Sequence, residues 1–205
     1  MTCPLSRCNA NSDIYGDHAV SCAAGSERIA KHNHVRDAIF CAAQQANLGP
    51  VREPDGLLPG SDDRPADILI PYRSQGRDTA FDITVVNSLQ SSLVSRVAEE
   101  GSHAVNYAYK NKQNKYQDRC NAEGLKFVPL AVDTFSSWQK DSLSNLKKLG
   151  RQLARAVGKE ESEVVRHFRQ RVAVLLVRDN VAMLHGRAPS LPPSHVDGDT
   201  DNVGE

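Results

Sequence analysis

The chain of 205 residues contains no apolar run of about 18 residues, which excludes a membrane-spanning helix. Its N-terminus, MTCPLSRCNANSD, lacks the apolar stretch of a secretory signal, so the expectation is a nuclear or cytoplasmic protein, not a secreted one. No internal repeat occurs. Excess charge is also missing, because 25 Lys and Arg balance 25 Asp and Glu. That balance argues against a nucleic-acid partner only until it is divided by segment. Residues 186–205 hold one arginine against four acids, a net of −3, and 140–171 hold nine Lys/Arg against four acids, a net of +5. Any basic surface is therefore local. An even cysteine count is absent too. Five cysteines without a secretion signal argue against a disulfide framework.

Three of the five lie in the first 22 residues, in a segment with few large apolar groups that needs a staple to hold a shape. Cys3, Cys8, His18 and Cys22 give two close pairs of soft or borderline ligands, the set that tetrahedral Zn²⁺ selects. The alternative is free cysteines in a flexible leader. Asp13, Asp17, His32 and His34 are further candidates, but His32 and His34 stand two apart on a helix and cannot share a face.

Downstream, Ile29, Val35, Ile39 and Phe40 recur at helical spacing. They predict a helix over 26–48, capped by Ser26 and stopped by Leu48-Gly49-Pro50. Val51-Arg52-Glu53 reads as a short strand in a Pro- and Gly-rich loop. Ala66–Ile70 reads as a strand ended by Pro71, and Thr79–Val86 as the strongest strand of the chain. A Gly-containing turn joins these two as an antiparallel hairpin. A long helix over 91–122, broken near Gly101, leads to a strand over 125–132, where Pro129 implies an edge. Helices follow over 137–157 and 160–185, then an acidic tail with no periodicity. The order implies an α/β fold with a small sheet.

Asp67 and Asp82 lie one on each arm of the hairpin, with fourteen residues between them. Two carboxylates at one end of a sheet can share Mg²⁺, with Glu53 as a third oxygen ligand, and support attack of water on a phosphate. Asp67 alone can equally satisfy a turn. Asp82, between Phe81 and Ile83, is costly in a strand unless paired or bound to metal.

The blocks GDHAVSCAAGSERIAKHNHVRDAIF, RPADILIPYR, GRDTAFDITVV and KQNKYQDRCNAEGLKFVPLAVDTF, in order over about residues 3–187, resemble the C-terminal region of non-LTR retrotransposon polyproteins. There a CCHC zinc knuckle precedes a restriction-like endonuclease of the PD-(D/E)XK superfamily. The resemblance implies an αβββαβ core, a small mixed sheet flanked by helices, with an N-terminal knuckle and two C-terminal helices. It divides the chain into a zinc element (1–25), an endonuclease core (26–135), a helical extension (136–187) and an acidic tail (188–205).

It implies a DNA (or RNA) partner, structural Zn²⁺ and catalytic Mg²⁺ held by Asp67 and Asp82. Lys31-His32-Asn33 match a Lys/Arg-His-Asn block of the similar proteins. This chain departs from them in three places. Ala66 intrudes between Pro65 and Asp67, Thr84 stands where the superfamily lysine often sits, and Ser136-Ser137-Trp138 replaces Gly-Gly-Trp. Similar endonucleases take the lysine from the next helix, so Lys112 is the expected catalytic lysine and Lys110 the next choice. Lys31, His32, Asn33, Arg64, Lys110, Lys115 and Tyr116 are the expected nucleic-acid contacts. The alternatives are an inactive zinc-dependent binding module, with Arg166, Arg169 and Arg171 on phosphates, or an element relic.

Overall fold

The computed structural model describes residues 2–13 and 15–187; the acidic tail expected over 188–205 lies outside them. The elements in chain order are α1 (Asp17–Ser21), α2 (Glu27–Gln45), β1 (Val51–Arg52), β2 (Ile68–Ser74) and β3 (Arg77–Val86). Then come α3 (Val94–Glu99), α4 (His103–Ala122), β4 (Lys126–Asp133), α5 (Lys140–Val157) and α6 (Glu161–His185). The four strands form one mixed sheet in the order β1-β2-β3-β4. The first three are antiparallel neighbours, and β4 runs parallel to β3. A parallel neighbour needs a crossover, and α3 with α4 supplies it.

Side-chain alternation along β3 sets the two layers. Phe81 and Ile83 face one side with Ile68 and Ile70 of β2, where they join Val35, Ile39, Leu149, Val172 and Leu176 in a single apolar cluster. That cluster draws on α2, α5 and α6, so the two C-terminal helices share the core of the sheet. Burying each large side chain there stabilises the fold by about 1.5–3 kcal/mol. Ala80 faces the other side and packs with Tyr116 and Cys120 of α4. Helix α2 reaches the core through Val35, Ala38, Ile39, Ala42, Ala43 and Ala46, a stripe of helical period.

Two expectations are corrected. Pro71 does not end β2. The strand passes through it to Ser74 with a register shift between Ile70 and Ser74, which is where a residue without an N–H is tolerated. Ser26 occupies the N-cap of α2, but its backbone is helical and its hydroxyl makes no capping bond. The helical stretch over 91–122 is broken near Gly101 as expected, with α3 and α4 separated at Glu100–Ser102. Pro129 does lie in an edge strand. Nearby, the Ser142 hydroxyl donates to the Pro129 carbonyl (3.1 Å) and accepts from the Ala131 N–H (3.0 Å).

Candidate metal centres and active-site cleft

The N-terminal element converges on four donors. Cys3, Cys8, His18 and Cys22 each offer one ligand atom, and all four atoms lie within 4.8 Å of one another. Cys3 Sγ is 4.0 Å from Cys22 Sγ, and Cys8 Sγ is 3.4 Å from His18 Nε2. The edges of a tetrahedral zinc site with Zn–S of about 2.3 Å are close to these lengths, so the residues fit a metal such as zinc. Asp13 is not part of the set. Its carboxylate accepts from the N–H groups of Tyr15, Asp17 and His18 and fixes the start of α1. At Gly16 the backbone is left-handed (φ 80°), which favours glycine, and a Cβ there would press on the Leu184 side chain of α6.

The second centre lies on the α4 side of the sheet. Asp67 stands one residue before β2, and its N–H donates to the Phe81 carbonyl at 2.8 Å, next to Asp82 on β3. The Asp67 carboxylate accepts from the Ile83 N–H at 2.6 Å through Oδ2, and its Oδ1 is 3.1 Å from His32 Nε2. Asp82 is buried (4% exposed) and meets Lys112 of α4, whose Nζ donates to Oδ1 at 3.1 Å. Nζ also lies 2.9 Å from Oδ2, but off the hydrogen-bonding direction, and Oδ2 has no other donor. Burial pushes the Asp82 carboxyl up to about 6; Lys112 opposes this shift and the Asp67 charge adds to it.

A cleft of about 790 Å³ opens over this pair. One wall is Val20, Ser21, Ala23 and Gly25 from the zinc element, so the first centre shapes the second. His32, Arg64, Asp67, Asp82 and Lys112 line it as well. Besides Asp82 Oδ2, two further polar atoms of lining residues, Thr84 Oγ1 and Asn87 Nδ2, are buried without a partner. Thr84 Oγ1 and Asn87 Nδ2 are therefore open to a bond with water or a ligand.

The other expected residues divide. Glu53 is not brought to the pair. β1 ends at Arg52, the backbone turns left-handed at Glu53 (φ 45°), and the carboxylate bonds Arg36 of α2. Lys31 lines the cleft at depth: it is 2% exposed, donates to Asn180 Oδ1 at 2.6 Å, and its pKa falls to about 8 because burial disfavours its charge. Tyr116 is 5% exposed with its ring against Phe127, so it offers no face for base stacking. Lys115 and Arg119 hold Asp63 at 3.2 and 2.6 Å. Arg64 is exposed at the cleft rim and pairs with Asp55 at 2.9 Å. Asn33 is half-buried on α2 and Lys110 is exposed on α4; neither lines the cleft.

Sequence reasoning did not see His32 as the partner of Asp67, nor Asn87 and Thr84 as cleft donors. The Lys-His-Asn block was the one signal pointing at His32. His34, two residues on, turns to α6 instead, with Nδ1 2.9 Å from Asp179. A scan against models of known protein families and a search of curated proteins each return no match for this chain. Among the described residues, no helix is long and apolar enough to cross a membrane.

Proposed function

We propose that the protein is a Mg²⁺-dependent DNA endonuclease of the restriction-like type, related to the nuclease region of non-LTR retrotransposons. The observation that carries this reading is that Asp67, just before β2, and Asp82, on β3, line one cleft, with Lys112 of α4 reaching Asp82. The order α2-β1-β2-β3-α4-β4 supports it, since it follows the αβββαβ order of that superfamily.

Asp67 and Asp82 would hold Mg²⁺, and the free lone pair on Asp82 Oδ2 fits an oxygen-seeking cation. Bound there, Mg²⁺ supplies Lewis-acid stabilisation of charge on the scissile phosphate and a more acidic water. The chain's own residues do the rest. Lys112 offsets the negative charge that builds as water attacks phosphorus, and it orients the nucleophile from Asp82's side. His32 holds the Asp67 carboxylate in place through Oδ1, and the Ile83 N–H holds it through Oδ2. Asn87 and Thr84 provide donors for phosphate or sugar oxygens in the cleft. The zinc element and Arg64 form the walls along which a strand would lie.

Supercoiled plasmid is the test. With Mg²⁺, the wild type is expected to nick it, and Asp82→Ala and Asp67→Ala are expected to lose at least about 10³-fold in rate. Equal nicking by the wild type and Asp82→Ala overturns the reading. DNA binding that persists with no nicking by any form points to the non-catalytic binding module.

A further inference from the structure

A second polar groove lies at the other end of the sheet and plays no part in the chemistry above. Arg73 at the end of β2 and Lys126 at the start of β4 meet Lys148, Arg151 and Arg155 of α5 around a cavity of about 310 Å³. It continues into a neighbouring cavity of about 340 Å³ that shares Lys126 and Lys148 and adds Arg77, with Asp141 as its one acid. Arg77 is five residues before Asp82 on β3, so the two sites are about 17 Å apart along the strand. The first cavity lies on the Thr79 and Phe81 face and the second wraps around the β4 edge to Tyr109, Gln117 and Asn121 of α4, at the far end of the sheet from Asp82.

The groove is built for an anion. Among the described residues, Arg151 is the only one of these six cations in an ion pair, with Glu161 at 2.6 Å. Arg73 is held by neutral groups, the Gln152 side chain and the Asn145 carbonyl, and lies over the Phe81 ring at 5.2 Å. Burial without a carboxylate lowers its pKa to about 10. Lys126, bonded to Ser74 Oγ at 2.9 Å, has its charge disfavoured by burial and then by Lys148, Arg77 and Arg73. Thr79, 2% exposed, lines the groove with a hydroxyl that has no partner. Uncompensated cations around a buried free hydroxyl cost stability unless an anion relieves them. An elongated track over a sheet edge suits a polyanion better than one small ion.

We propose that this groove binds the phosphodiester backbone of the nucleic acid at a second position, outside the cleft. The proposal rests on the nucleic-acid reading of the cleft, but it is tested without catalysis. Binding of a labelled short duplex to the full chain is followed by anisotropy in Mg²⁺-free buffer, across about 50–200 mM salt. For Lys126→Gln/Lys148→Gln we expect affinity about tenfold weaker and a log K against log[salt] slope shallower by about two. Lys148→Gln/Arg155→Gln, which changes only exposed side chains, is expected to do the same if the first variant melts early.

An unchanged slope and affinity in both cationic variants overturns the proposal, as does a wild type that binds no duplex. Tight binding of inorganic pyrophosphate by calorimetry, lost in these variants while duplex affinity is unchanged, makes the groove a small-phosphate site and also overturns it. Failure of the nuclease reading would show as nicking indifferent to Asp82 and would leave these slopes untouched.

Discussion

The two candidate metal centres solve opposite problems. The Cys/His cluster is closed: four donors face one another, two of the cysteines are buried, and no position is left for a further group. The Asp67–Asp82 pair is open. It has two carboxylates, a lysine, a cleft above it and three unpartnered polar atoms around it. Structural zinc sites are closed and catalytic sites keep open positions. On the proposed reading the first centre would hold shape and the second would hold chemistry, and Val20–Gly25 connect them because the backbone leaving Cys22 becomes a wall of the cleft.

If that division is right, metal loss at the closed centre acts first on structure. Structural zinc binding is folding free energy, about 10–16 kcal/mol in small zinc elements. The expected result is one zinc per chain by elemental analysis, absent in Cys22→Ala. Hydrogen exchange over residues 2–22 should accelerate by more than about 100-fold in that variant, while β2–β4 change little, because local elements open separately from the core. Uniform acceleration across the sheet would show that the two regions are one cooperative unit and would break the comparison.

At the open centre the largest effect short of the carboxylates themselves belongs to Lys112. Lys112→Met keeps the length of the side chain and removes the charge beside Asp82. Nicking should fall about 10²-fold with duplex binding nearly unchanged, since the group acts on charge that develops in the transition state. A matching loss of binding would make Lys112 a phosphate contact. Lys110→Met, on an exposed side chain outside the cleft, serves as the control for nonspecific charge.

How much of this could be read from the residues depends on distance along the chain. The hairpin was legible because Thr79–Val86 is β-branched and the turn is local, and the carboxylate pair followed from it. The four candidate metal donors were legible because they lie within 20 residues. What spacing does not contain is long-range packing. Lys31 meets Asn180 across 149 positions and is nearly closed off at the base of the cleft, although its neighbours suggested an open surface. Tyr116 shares a helix with Lys112, but a few residues further along α4 its ring falls over the Phe127 side of the sheet. Glu53 was judged by its strand, yet that strand is two residues long and the turn after it points the carboxylate at Arg36. The cationic groove shows the same limit: the charge count over 140–171 found its α5 half, but only the fold adds Arg73, Arg77 and Lys126.

The smallest effect tests the open centre in the absence of metal. Asp82 has a folded pKa of about 6 against an ordinary value of 3.8, chiefly because burial disfavours its charge. Between these values the folded state holds the proton more tightly than the unfolded state, so stability falls as pH rises from about 4 to about 6 and stays low above. Asp82→Asn removes the titration and keeps the shape. In metal-free buffer it should leave stability nearly unchanged at pH 4 and raise it by about 2 kcal/mol at pH 7, a gain visible in denaturant midpoints. The gain arises because the wild type keeps an ionised, incompletely bonded carboxylate for a ligand at the expense of its own stability, as open sites do. A variant less stable at pH 7 than the wild type would mean that the Lys112–Asp82 pair is a net structural bond, and the centre would then belong with the closed one.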